Sequence, residues 1–111
     1  MIIKDGRYAV TVLGGLGNVL NKLGDEKVVD GKVGHNVIDG KEWGWFHISR
    51  CKVHGADRVK LNYDHPNNPR ALRFVIDYLR EDLDGGWVGY LTLAGITVLD
   101  FRLVAVEAAD E

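Results

Sequence analysis

The sequence predicts an α+β domain, a largely antiparallel, curled sheet of several strands packed against one long helix, with a second short helix. Three observations carry that expectation. Asp-Gly pairs at Asp5-Gly6, Asp30-Gly31 and Asp39-Gly40 each follow β-branched residues and lead into Lys or Arg. Asp tolerates positive φ and Gly adopts it freely, so these pairs punctuate antiparallel strands. The stretch "NNPRALRFVIDYLREDLDGG", residues 67–86, has helix-start and helix-stop signals around an apolar interior. The last third of the chain holds two strand-like runs, "WVGYLTL" and "ITVLDFRLVAVE", joined at Ala94-Gly95.

Taken in order, a two-residue turn at Asp5-Gly6 sets Ile3 opposite Tyr8. In "GGLGNVLNKLG", Leu16, Val19, Leu20 and Leu23 recur at the spacing of one helical face, and Gly24 caps the short helix. Its glycines are no dinucleotide loop, because that fingerprint needs glycine where Leu20 stands; nor does Lys-Ser/Thr follow for a P-loop. A turn at Asp30-Gly31 sets Val28 opposite Val33. A three-residue turn, Ile38-Asp39-Gly40, sets His35 opposite Trp43 and Val33 opposite Trp45. The resulting meander buries Val28, Val33, Val37, Trp43 and Trp45. A long strand, Glu42–Val53, then turns at "HGAD" into Arg58–Tyr63. In this hairpin Val59, Leu61, Tyr63, Cys51 and Val53 face inward, while Arg58, Lys60, Arg50 and Lys52 face out.

The long helix follows. Asn68 is its N-cap, Pro69 its first residue, and Gly85-Gly86 its stop. Its apolar residues fill an arc of about 200° on a helical wheel. Its charges are reversed relative to the helix dipole: Arg70 and Arg73 near the start, Glu81, Asp82 and Asp84 near the end. An anion held at the N-terminus by free N–H groups, Arg70, Arg73 and either Asn67 or His65 would compensate. The bland account is that Arg73–Asp77 and Arg80–Asp84 lace a solvated face.

At 111 residues, 46% hydrophobic and 27% charged, the chain reads as one globular domain, 1–111. It has no apolar run of the roughly twenty residues needed to cross a membrane. A charge at residue 4 argues against a signal peptide, and the one cysteine, Cys51, suits a reducing cytoplasm. Residues 1–80 carry 13 Lys/Arg against 9 Asp/Glu, whereas 81–111 carry Arg102 against seven acids, which predicts a basic and an acidic region.

No cofactor or metal is expected. The positions two before Asp30 and Asp39 are Val28 and Val37, which cannot serve as calcium ligands. His47-x3-Cys51-x2-His54 has zinc-like spacing, but on a strand His47 and Cys51 lie about 13 Å apart. Cys51 is expected to point inward as an inert thiol; an enzyme reading survives only through it as a nucleophile, with His54, Arg50 and Lys52 near in sequence, since no other catalytic signature appears. The expected function is therefore a small non-catalytic protein acting through protein–protein contacts, of inhibitor, immunity or accessory type. The alternative is nucleic-acid binding by a basic hairpin face of Arg50, Lys52, Arg58 and Lys60, extended by Arg70, Arg73 and Asn67.

Overall fold

Among the described residues eight strands form, and the long helix does not. The computed structural model describes residues 2–15 and 26–106. The strands are β1 (Gly6–Gly15), β2 (Glu26–Asp30), β3 (Val33–Ile38), β4 (Lys41–Val53), β5 (Ala56–Asn62), β6 (Val75–Glu81), β7 (Trp87–Leu93) and β8 (Ile96–Ala105). Each pairs antiparallel with its sequence neighbour, and β8 pairs with β1 to close a barrel. The fold is all-β, which corrects the α+β expectation.

The correction centres on residues 68–84. Arg70–Phe74 form a five-residue 3₁₀ turn, and Val75–Glu81 are strand β6 between β5 and β7. Val75, Ile76 and Tyr78 fit a pleated, half-buried surface better than a helix. Val75, Asp77 and Leu79 point into the barrel, while Ile76 and Tyr78 are half-covered outside. Apolar residues thus occupy both sheet faces and hide the alternation. A helical arc as wide as 200° was itself a sign of two buried faces. The reversed dipole vanishes with the helix: Asp82 and Asp84 both pair with Arg102. The predicted short helix over residues 16–23 lies outside the described residues.

The early turns also shift. No hairpin forms at Asp5-Gly6, where Asp5 instead accepts the Gly31 N–H at 2.8 Å. Between β2 and β3 the two loop residues are Gly31-Lys32, so Asp30 faces Val33, and Val28 faces His35. The β3–β4 turn is the two-residue Asp39-Gly40, with Ile38 opposite Lys41 and Val37 opposite Glu42. Because side chains alternate with period two, this register puts Val28, Val33 and Val37 outside. Lys27, Val29, Gly34 and Asn36 are the buried set. Asp39-Gly40, His54-Gly55 and Ala94-Gly95 all have positive φ at both central residues, the geometry whose twist suits two-residue hairpins.

In the interior, Ile3, Tyr8, Val29, Phe46, Val59, Leu79, Trp87 and Leu103 belong to one continuous buried core. Gly34 is required there, since a Cβ would lie 2.4 Å from the Val28 carbonyl oxygen and 2.5 Å from the Phe46 ring. Toward the β3–β4 and β7–β8 turns and the 3₁₀ segment, Tyr63, Val75, Leu99 and Phe101 of the same core line a cavity.

Candidate functional site: a buried ion pair in the wall of an apolar cavity

The cavity measures about 220 Å³. Val10, Val12, Leu91, Val98, Leu99 and Phe101 form much of its wall, and Leu72 of the 3₁₀ turn contributes at its edge. Four polar side chains from four strands or strand ends meet in that wall: Lys27, Asn36, Tyr63 and Asp77. All are buried, Asp77 completely.

Their hydrogen bonds form one network. Lys27 Nζ donates to Asn36 Oδ1 and to Tyr63 OH, both at 2.7 Å. It also lies 3.3 Å from Asp77 Oδ2. The Tyr63 hydroxyl donates to Asp77 Oδ2 at 3.0 Å. Asn36 Nδ2 donates to the Gly44 carbonyl at 2.9 Å and to Tyr63 OH at 3.1 Å. Gly44, at φ 63°, sits where β4 bulges against β3, so its carbonyl can meet Asn36. The ammonium of Lys27 also stands 5.4–5.5 Å from the ring centroids of Phe46, Tyr63 and Phe101, a range where ring faces attract cations.

Two buried polar atoms take no hydrogen bond among the described residues: Asp77 Oδ1 and Trp43 Nε1. Both side chains line the cavity. Burial raises the Asp77 carboxyl above its ordinary value, an effect partly offset by Lys27 and the Tyr63 hydrogen bond. Burial likewise lowers Lys27, against the pull of Asp77, and raises Tyr63, with the Asp77 charge adding to that rise. Lys27 and Asp77 each move toward the neutral form. The ensemble can bind a hydrogen-bonding group inside an apolar space, and it can move a proton between an amine and a carboxylate.

None of these residues was singled out as a site from the sequence. A signal for them exists: Lys27 two before Val29, and Asp77 between Val75 and Leu79, are charges at inward positions of alternating strands. The residues that were singled out lie elsewhere. Arg50 pairs with Val59, and Cys51 with Arg58. Opposed residues share a face, so Arg50 and Lys52 lie on the Val59 side, and Arg58 and Lys60 on the other. The hairpin therefore does not gather its four basic residues on one face. Cys51 shares the outward side of Arg58 and is half-buried rather than inward. Lys52 pairs with Asp57 at 3.0 Å.

Arg73 and Asn67 both lie between β5 and β6. Arg73 donates to the carbonyls of Asn68 and Pro66 at 3.3 and 3.2 Å, and the Asn67 N–H donates to His65 Nδ1 at 3.1 Å. Arg70 is exposed at the start of the 3₁₀ turn. With five residues in place of a long helix, the expected dipole-assisted anion site is absent there. Asn68 is a staple instead of an N-cap. It accepts from the Trp45 N–H at 2.8 Å and donates to the Trp45 and Tyr63 carbonyls, both at 2.7 Å. His47 stacks on His65 at 4.9 Å, and partial burial lowers the His65 pKa beside His47 and Arg73.

Compared with protein-family models, curated proteins and solved structures, the chain gives no match. No helix among the described residues is long and apolar enough to cross a membrane.

Proposed function

We propose that the protein is a small-molecule binding protein, which holds one neutral, largely apolar ligand in the cavity of its barrel. The observation that carries this reading is a pair of buried atoms without a partner among the described residues, Asp77 Oδ1 and Trp43 Nε1, on side chains that line an apolar cavity. An unsatisfied buried polar group costs roughly 1–3 kcal/mol, and such costs concentrate at functional sites. A ligand bearing a donor for Asp77 and an acceptor for Trp43 removes both. The ligand is neutral because Lys27 and Asp77 already cancel; a further charge would be buried without a partner. Eight-stranded barrels have room for one small ligand when side chains do not fill them. The cavity suits on the order of ten non-hydrogen atoms.

The test is a titration with 3-phenylpropan-1-ol, followed through tryptophan indole N–H resonances. Trp43 lies at the cavity and Trp87 in the packed core. The expected result is a saturable shift of Trp43 that Leu91→Trp abolishes, with Trp87 little changed. A Trp43 signal unmoved at millimolar alcohol overturns the reading.

Contact with another protein remains a second proposal, with an observation of its own. Phe74, Leu93 and Ile96 are exposed beside the cavity, and the Ala94 N–H donates to the Phe74 carbonyl at 3.1 Å. Such a patch could receive a macromolecule that delivers or takes the ligand. The nucleic-acid alternative loses its motivating geometry, because the four basic hairpin residues are divided between two faces. An outer wall bearing Arg58, Lys60, Arg80 and Arg102 suits water, and a cytoplasmic location is proposed on that wall and the lone cysteine.

A further inference from the structure

We propose that Lys27 captures aldehydes or ketones covalently, as an imine formed inside the cavity. The proposal rests on reading the cavity as a small-molecule site, and adds the ligand's chemical class.

A lysine becomes a useful amine nucleophile when it is desolvated, opens onto a substrate-sized apolar space, and has a proton acceptor at hand. Lys27 meets all three conditions. It is buried, it lines the cavity, and Asp77 Oδ2 and Tyr63 OH lie at 3.3 and 2.7 Å from Nζ. An ion pair that served stability alone would gain from full hydrogen bonding, yet Asp77 Oδ1 has no partner among the described residues. The carbinolamine hydroxyl formed from the ligand's carbonyl oxygen supplies a donor for Oδ1 while Oδ2 holds Lys27.

The step balances without any outside reagent. The Lys27 ammonium gives one proton to the Asp77 carboxylate, which frees the nitrogen lone pair. The lone pair adds to the carbonyl carbon, and the π electrons move to oxygen. A second nitrogen proton passes to that oxygen through Tyr63 or Asp77, giving a neutral carbinolamine. Asp77 then returns its proton to the hydroxyl group. Water leaves as nitrogen closes the C=N bond, and the product is an iminium. Three ammonium protons are thereby accounted for: two depart in water and one stays on nitrogen. Nothing is oxidised or reduced. Asp77 ends as the carboxylate paired with the iminium, so the buried charge is the same before and after. Burial favours the amine form needed at the outset, and the apolar wall keeps bulk water from reversing the last step.

The experiment uses the intact protein, 3-phenylpropanal and sodium cyanoborohydride, with sites mapped by peptide mass spectrometry. The chain has seven lysines, at positions 4, 22, 27, 32, 41, 52 and 60, which provide an internal comparison. The expected result is a phenylpropyl group on Lys27 at least about tenfold faster than on any other lysine, with that excess suppressed by 3-phenylpropan-1-ol. Lys27→Met paired with Asp77→Leu, which leaves no lone buried charge, should carry only the slow labelling of the other lysines. Labelling of wild type confined to those other lysines overturns the proposal. If the alcohol still shifts Trp43 in that case, only covalent capture fails and reversible binding stands. If the alcohol does not bind either, both readings fall.

Discussion

Lys27 and Asp77 set the balance between stability and use at the scale of single residues. A buried ion pair rarely repays its desolvation, whereas removing one partner strands the other. Asp77→Ala is therefore expected to destabilise the fold by about 3–5 kcal/mol. Lys27→Met/Asp77→Leu should be neutral or stabilising by up to about 4 kcal/mol, so the effects of the two sites are strongly non-additive in thermal melts. The pH dependence carries a sign of its own. Asp77 has a folded value above 3.8, so between those values the native state holds the extra proton and stability falls as pH rises. Lys27 has a folded value below 10.5, so in its window the unfolded state holds more protons and stability rises with pH. Compared with the double variant across pH, wild type should be at its greatest disadvantage in the middle range. The gap should narrow toward both ends. A gap independent of pH would mean that burial does not shift the pair. Asn68 is the other residue of this kind. Asn68→Ala leaves Trp45 N–H and two carbonyls without their partners, and should cost about 2–4 kcal/mol in denaturant unfolding.

Among the elements, the hairpins and the β6 strand show what the sequence discloses. Strands β7 and β8 with their Ala94-Gly95 turn were legible, as was β5 with its inward Val59, Leu61 and Tyr63. There the turn chemistry and the alternation agree. Strand β6 was not legible, because Ile76 and Tyr78 are apolar on its outer face and Asp77 is polar on its inner one. Both departures from alternation come from tertiary context: a half-covered exterior and a buried ion pair in the interior. The meander failed differently, through a choice of turn. The β3–β4 turn is one residue shorter than expected, so Trp43 stands opposite Asn36 rather than His35, and the inward face carries Lys27 and Asn36 in place of Val28, Val33 and Val37. The site was hidden by that difference. Two changes test the hairpin geometry. His54 has φ 49° in the β4–β5 turn, where Asn is better tolerated, so His54→Asn should stabilise by roughly 0.5 kcal/mol. Gly34→Ala should cost on the order of 1–3 kcal/mol or more, since the Phe46 ring can move but the Val28 carbonyl cannot.

At the level of the whole molecule, every strand except the terminal pair finds its neighbours next to itself in sequence. Among the described strands, the β1–β8 seam alone joins residues from opposite ends of the chain, as in Tyr8 opposite Ala105 and Val12 opposite Phe101. Local hairpins form quickly, and contacts of long sequence separation bear the largest loop-closure cost, so the seam is expected to form late in folding. Val10 and Val12 on one side of it, and Leu99 and Phe101 on the other, supply part of the cavity wall. The cavity is thus the last thing the chain makes. In stopped-flow refolding, capture of a small apolar alcohol should lag behind the hairpin signal and keep pace with closure of the ring. A ligand present during folding should slow unfolding, because it contacts both margins of the seam and has to be surrendered before the ring can open.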